Sequence, residues 1–424
     1  MTMRYKNFIW TACAAATLAV AGCSDDVVAE RETPTEPVVE EPAEVKPLTL
    51  TAAEQQQVTQ LNVFGDKLIA AVQDVRHAED FSVSPTSYSI FLSMMANTAD
   101  GELRAQLLQA MGAKDLVTLN SLSKKLMDYL PANEDGAKLF VANKMWLSQK
   151  YEAPEAFRAM MSEVFSADVD KADFDSPLTK EIINRWVKDK TKGMISSILD
   201  RPWENYRLMP FMTVNAVYFN GVWPETFDVK NTVREPFNGT RGVKDVAMMQ
   251  ANKQFMYAAK DGVALVQLPF RNGTARLEVY LPDEGVSVAS VAVNADLRKK
   301  LNASVNIYNV KLSLPRFETL YSIETNIDIL SRIGVTAYNA ADFSPVGVPG
   351  VSPFDLIHKT AMKLDEKGAK ASAVTGNQLD ILNGEGGSGV PFVTMNVNRP
   401  FFYIIRHIST GAILMAGAVS NING

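Results

Sequence analysis

The chain is poor in the residues on which most metal and covalent chemistry depends. Two cysteines occur in 424 residues, Cys13 and Cys23, both near the N-terminus. A disulfide scaffold and a cysteine-ligated metal are therefore excluded for the body. Three histidines, His77, His358 and His407, leave little material for a zinc enzyme or a histidine-based triad. There is no His-Glu-x-x-His and no carboxylate cluster at metal-ligand spacing, so no metal and no cofactor are expected. Long apolar runs are missing too, apart from Phe8 to Ala21, which excludes a multi-span membrane protein. Charge of one sign is also scarce. Of the net charge of −6, residues 1–23 carry +2 and residues 24–50 carry −6, which leaves −2 on the remaining 374. A near-neutral body gives no electrostatic reason to expect nucleic-acid binding. What is present is ordinary globular material, 47% hydrophobic and 21% charged.

The N-terminus reads as an export signal. Arg4 and Lys6 precede the apolar run from Phe8 to Ala21, which is too short to span a bilayer comfortably. The run ends in Val20-Ala21-Gly22-Cys23, which resembles the bacterial lipobox, where small residues admit the processing peptidase and the cysteine takes up lipid. Residues 1–22 are thus expected to be a signal peptide and Cys23 a lipid attachment site; the competing reading is a plain signal with a chance cysteine. Acylation with two or more chains would give a durable membrane anchor. Ser24-Asp25-Asp26 follows, then a Pro/Glu/Val stretch with Pro34, Pro37, Pro42 and Pro47. Residues 23–50 hold almost nothing large and apolar and are expected to form an extended, self-repelling tether. The acidic pair resembles a tag that sends some Gram-negative lipoproteins to the outer face of the outer membrane. A surface-exposed outer-membrane lipoprotein is the expectation, with the periplasmic face as the alternative.

Residues 51–424 read as one mixed α/β domain. Thr51-Ala52-Ala53-Glu54 is a capping box, with Val58, Leu61, Phe64, Leu68 and Val72 following at helical spacing. Ser84-Pro85 opens a second helix, Asp100 caps a third that stops at Gly112, and a fourth runs from about Thr179 to Lys192. Short β-like runs occupy Met212–Asn220, Ala264–Pro269, Arg276–Leu281, Val310–Phe317, Thr360–Asp365, Phe401–Ile405 and Ala412–Val419. Several are apolar on both faces, as central strands are. The last two are joined by Ser409-Thr410-Gly411, a hairpin signal.

Three apparent motifs lose their force in context. Gly384-Glu385-Gly386-Gly387-Ser388-Gly389 has the spacing of a dinucleotide fingerprint. Val390-Pro391 follows where a helix should start, and no acid stands about 20 residues on. Gly387-Ser388-Gly389 misses the nucleophile elbow because Val390 replaces the last glycine. Lys124-Lys125 is too short for a polyanion site and reads as a solvated helix face.

The informative stretch surrounds His358. A β-like run ends at Asp365-Glu366-Lys367-Gly368, and Ala369-Lys370-Ala371-Ser372-Ala373-Val374-Thr375-Gly376 follows. Every second residue from Ala369 to Thr375 is small and uncharged. On a period of two, a face of that kind is able to enter a core. A flexible connection accounts for the smallness but not for the alternation.

This segment resembles the hinge and reactive loop of the serpins, and other motifs agree in order. Phe81-Ser82-Val83-Ser84-Pro85-Thr86-Ser87 is similar to the start of the family's central helix, and Asn184-Arg185-Trp186-Val187 through Ile195 to its N-x-W-V…K-T-x-G-x-I segment. Val214-Asn215-Ala216-Val217-Tyr218-Phe219-Asn220-Gly221-Val222-Trp223 resembles its V-N-A-x-Y-F-x-G-x-W strand. Leu314-Pro315-Arg316-Phe317, Ala341-Asp342-Phe343-Ser344, Arg399-Pro400-Phe401 and Arg406-His407 through Thr410-Gly411 match later signatures.

The resemblance implies a single α+β domain with three β-sheets, eight to nine helices and an exposed reactive loop. It also implies a monomeric suicide-substrate inhibitor whose partner is a serine or cysteine protease. Glu366, Gly368, Ala369, Lys370, Ala371, Ser372 and Ala373 would form the hinge, without proline or charge on the inserting face. Two departures are mild: Ala369 replaces the usual threonine and Lys370 the usual acid. Counting from Glu366 puts the attacked bond at Leu382-Asn383; the loop is long, so Asp380, Ile381 and Asn383 stay open as alternatives. Ser84, Ser87, Asn215 and His358 match the shutter cluster below the point where the sheet opens, and Trp223 matches the tryptophan at its top. The alternative is a serpin-fold binding or chaperone-like protein that does not inhibit.

Overall fold

The computed structural model describes residues 47–76, 80–132, 136–207, 209–324, 327–351, 355–369 and 389–422. Helix α1 (Ala52–Arg76) begins where the capping box places it. Thr51 N–H donates to the Glu54 carboxylate at 2.7 Å, and Glu54 N–H donates to Thr51 Oγ1 at 3.2 Å. After β1 (Phe81–Val83), Ser84 caps α2 (Pro85–Thr98), whose residues are buried almost without exception. Helices α3 (Gly101–Ala110) and α4 (Leu116–Tyr129) are capped by Asp100 and Asp115. Then come β2 (Lys138–Ser148), α5 (Glu155–Phe165), β3 (Asp168–Ala172), α6 (Leu178–Lys190) and β4 (Phe211–Val222). Strands β5 (Val233–Gly239), β6 (Gly242–Lys260), β7 (Val263–Pro269) and β8 (Ala275–Pro282) lead to helices α7 (Val288–Val293) and α8 (Ala295–Ala303). The chain continues through β9 (Asn306–Pro315), β10 (Phe317–Glu324), α9 (Ile327–Arg332), β11 (Asp342–Phe343) and β12 (Val348–Val351). It ends with β13 (Asp355–Asp365), β14 (Gly368–Ala369), β15 (Phe392–Asn396), β16 (Phe401–His407) and β17 (Ile413–Val419).

The described residues thus hold nine α-helices and three sheets, the α+β architecture expected. A six-stranded sheet has the order β10-β13-β14-β4-β2-β3, a nine-stranded sheet runs from β1 through β17, β16, β8, β7, β6 and β9 to β15 with β5 on β6, and β11 pairs with β12. Helix α2 lies between the two large sheets. Its Ser84 and Thr86 hydroxyls donate to Leu414 and Ile413 carbonyls of β17, and its Ser87 reaches β4. The opposite face of the six-stranded sheet is covered by α6, with Ile183 and Val187 packed in one cluster with Val214, Ala216 and Ile357.

One expected strand is divided. Val310–Phe317 is not continuous: β9 ends at Pro315, which lacks an N–H for the ladder, and Phe317 starts β10 in the other sheet. Strand β2 carries Asn143 and Lys144 at buried positions. These two residues interrupt the apolar run that would have marked it as a strand, and Lys144 is neutralised by Asp170 at 2.5 Å.

Candidate functional site

The site is the seam between β13 and β4. These strands pair in parallel from Asp355/Met212 to Ala361/Tyr218. Above that they part, and Gly368–Ala369 stands between them as β14, antiparallel to both: Ala369 lies opposite Leu364 on one side and Gly221 on the other. Ala369 is wholly buried. Gly368 is required here, because its φ is +124° and a Cβ would lie 2.0 Å from the Gly221 carbonyl oxygen.

Two expected residues fasten this opening. Trp223 Nε1 donates to the Asp365 carbonyl at 3.1 Å, and its backbone N–H to that of Lys367 at 3.1 Å. Its ring stacks on Phe270 with centroids 4.7 Å apart. Glu366 is buried, and both carboxylate oxygens accept from Arg316 Nε at 2.8 Å while Thr232 Oγ1 donates to Oε1 at 2.6 Å. Burial alone would raise its pKa; the guanidinium and the hydroxyl overcome that and hold it below the usual glutamate value.

Lower down, a polar row crosses three strands beneath α2. His358 on β13 stands beside Asn215 on β4, which stands beside Asn143 on β2. Asn215 Nδ2 donates to Asn143 Oδ1 at 2.6 Å, and Asn143 Nδ2 to the Phe165 carbonyl at 3.1 Å. With its amide nitrogen so engaged, Asn215 Oδ1 accepts from Ser87 Oγ at 3.0 Å and faces His358 Nδ1 at 2.5 Å. His358 Nδ1 must then carry the proton, leaving Nε2 as a bare acceptor. Burial lowers the His358 pKa to about 3, so the ring is neutral. Ser84 joins through the Ser87 backbone N–H at 3.2 Å rather than through the Asn215–His358 pair.

The structure therefore brings together Ser84, Ser87, Asn215 and His358 at one level and Trp223, Glu366, Gly368 and Ala369 at another. Lys370, Ala371, Ser372, Ala373, Leu382, Asn383 and Cys23 lie outside the described residues. Sequence reading missed Asn143, Arg316 as the partner of Glu366, Thr232 and the close approach at Gly221. An asparagine beside Lys144 in the middle of the apolar stretch Leu139–Leu147 was the one available signal for Asn143.

A two-residue strand wedged into a parted sheet, above a buried polar row, defines a class. The family model described as serpin (serine protease inhibitor) matches residues 59–422, and the chain belongs to that family. Among curated relatives, Iripin-3 of Ixodes ricinus is 27% identical over 361 residues, covering 81% of this chain and 89% of that protein. Human leukocyte elastase inhibitor is 26% identical over 377 residues, covering 84% and 97%. The thermophilic serpin tengpin in its native state superposes with a TM-score of 0.77 at 27% identity, covering 90% of this chain and 97% of that one. Human thyroxine-binding globulin bound to its hormone shares the fold, with a TM-score of 0.78 at 21% identity and coverage of 88% and 100%.

Proposed function

We propose that this serpin is an inhibitor of serine, and also cysteine, endopeptidases that acts as a suicide substrate. The observation that carries the reading is β14. Ala369, the first residue of the expected inserting strand, stands with Gly368 between β13 and β4, and the seam below them is closed by replaceable strand–strand bonds. In this reading the protease nucleophile attacks the Leu382 carbonyl and forms an acyl bond, and the amine of Asn383 leaves. The freed segment then enters the sheet before water can deacylate the enzyme. Ala369 to Leu382 is fourteen residues, which at about 3.3 Å each spans roughly 46 Å, enough to carry the attached protease along the sheet. Leu382 suits enzymes with a large apolar pocket, since burying a leucine is worth roughly 2 kcal/mol. No Arg or Lys lies between Lys370 and Arg399 to attract trypsin-like enzymes.

The test is incubation with a panel of serine and cysteine proteases. Denaturant-resistant covalent complexes and a released C-terminal fragment starting at Asn383 are expected. A fragment starting after Gly389 overturns the bond assignment. Cleavage without any complex favours a non-inhibitory binding protein of the same fold.

The leader supports a second part of the proposal. A lipobox-like Val20-Ala21-Gly22-Cys23 followed by an acidic, proline-rich stretch fits a lipid-anchored monomer on the outer membrane, held at Cys23 by the tether of residues 23–50.

A further inference from the structure

A groove of about 810 Å³ lies open at the surface between α1, α7 and α9, on residues that the seam does not use. Its origin is local. Along α1, Lys67, Ala70, Ala71 and Asp74 recur at helical spacing and share one face. Leu68, Ile69 and Val72 are turned the other way and are fully buried. Along α7, Val288, Val291 and Ala292 are buried, while Ala289, Ser290 and Val293 line the groove. Ala70, Ala71, Ala289 and Ser290 are too short to fill the space between two helices, so a trough is left where longer side chains would interdigitate. Val293 stands half-exposed on its wall. The lining is mostly carbon, and the size is that of a small-molecule site.

Charge sits at the two ends of this trough. Asp74 stands seven residues after Lys67, which is about 10 Å along the helix axis at the ordinary rise. At the far end Asp74 is paired with Arg332 of α9. At the near end Lys67 makes no ion pair among the described residues. Its neighbour in the chain, Asp66, is already held by the buried Arg298 at 2.6 Å. The groove therefore carries two cations and one anion, and the cation left over stands beside an apolar floor.

We propose that this groove binds a small amphipathic monocarboxylate, its head on Lys67 and its apolar body lying over Ala70, Ala71 and Ala289 toward Val293. The ammonium donates charge-assisted hydrogen bonds to the head. The body covers carbon that water now wets. Neither half suffices: a head alone makes only an exposed ion pair, which is weak, and a body alone leaves the Lys67 charge unanswered. A second carboxylate at the far end would meet Asp74, so a dicarboxylate of the same length is rejected.

The test uses the full chain with Cys23→Ala, which has no acyl chain of its own to compete. It is titrated with decanoate below the micelle-forming concentration, and separately with decanol, decanedioate and acetate, following the heat of binding and the thermal midpoint. Decanoate should bind saturably at one site and raise the midpoint, and the other three should bind at least roughly tenfold more weakly, the factor that one charge-assisted hydrogen bond supplies. Lys67→Gln should weaken decanoate by a similar factor and Lys67→Arg should restore it; Ala70→Phe, which fills the floor, should abolish binding. Lys67 is exposed, so its variants test the head contact without disturbing the core. Decanoate binding that survives Lys67→Gln or Ala70→Phe undiminished places the ligand elsewhere and overturns the site. Equal binding of decanol or decanedioate, or no saturable binding of decanoate, overturns it as well.

Discussion

At the scale of single residues, burial decides what the site histidine can be. His358 is fully buried, and its pKa is lowered to about 3; His407, also buried, is lowered to about 4. In the unfolded chain both titrate near 6.5. Between the two values the unfolded state binds more protons than the folded one, so stability is present above pH 6.5 and is lost progressively as pH falls toward the folded values. From pH 7 to 5 the loss is on the order of 2 kcal/mol per histidine. The denaturation midpoint of the intact protein should therefore fall over that range, and His358→Gln, uncharged at every pH, should have a shallower slope. An unchanged slope in the variant would mean that His358 is not held neutral by the fold. Serine and asparagine at 87 and 215 belong to the same scale. Their types were legible in the sequence, but the direction of each hydrogen bond was not, because it depends on Asn143 fixing the amide of Asn215.

At the scale of elements, β14 is the shortest strand in its sheet and the most consequential. Ala369 has Leu364 and Gly221 as cross-strand partners, and a Cβ on Gly221 would already lie 2.7 Å from the Phe219 and Phe270 rings. Those rings leave little space in that corner for a long cation. Ala369→Arg should abolish covalent complexes with target proteases while the loop is still cleaved, since bringing an unpaired charge into the core costs on the order of several kcal/mol and slows insertion below deacylation. Gel analysis of complexed against cleaved product checks this; undiminished complex formation would show that seating a small side chain at 369 in the sheet is not needed for the trap. The alternation of small residues from Ala369 to Thr375 was visible in the sequence; of these residues the structure describes Ala369, in the sheet, and 370–375 lie outside the described residues. The clamp that holds its start was not legible, because Glu366 meets Arg316 and Thr232 from positions 50 and 134 residues away. Arg316 stands between β9 and β10, where the Val310–Phe317 run divides, and so is placed to meet Glu366.

At the scale of the whole molecule, the proposed anchor and the proposed trap are separable. The leader and tether precede α1, and the seam lies between strands that begin at Phe211 and Asp355. Cys23→Ala should release the protein from the membrane fraction and leave the inhibition kinetics of the released protein unaltered. Retention in that fraction would indicate an uncleaved signal helix instead of a lipid anchor.

What the sequence determined by itself is everything that local chemistry can specify. The capping box at Thr51, the Ser84-Pro85 start of α2 and the hairpin turn at Gly411 each follow from backbone sterics and hydrogen bonding within a few residues. The ordered motifs added the family. The tertiary structure alone decided that β13 and β4 run in parallel with His358 beside Asn215, and that β14 parts them. Parallel strands carry no turn that links them, and 143 residues separate His358 from Asn215. Their register is set by packing against α2 and α6, which periodicity along the chain cannot encode.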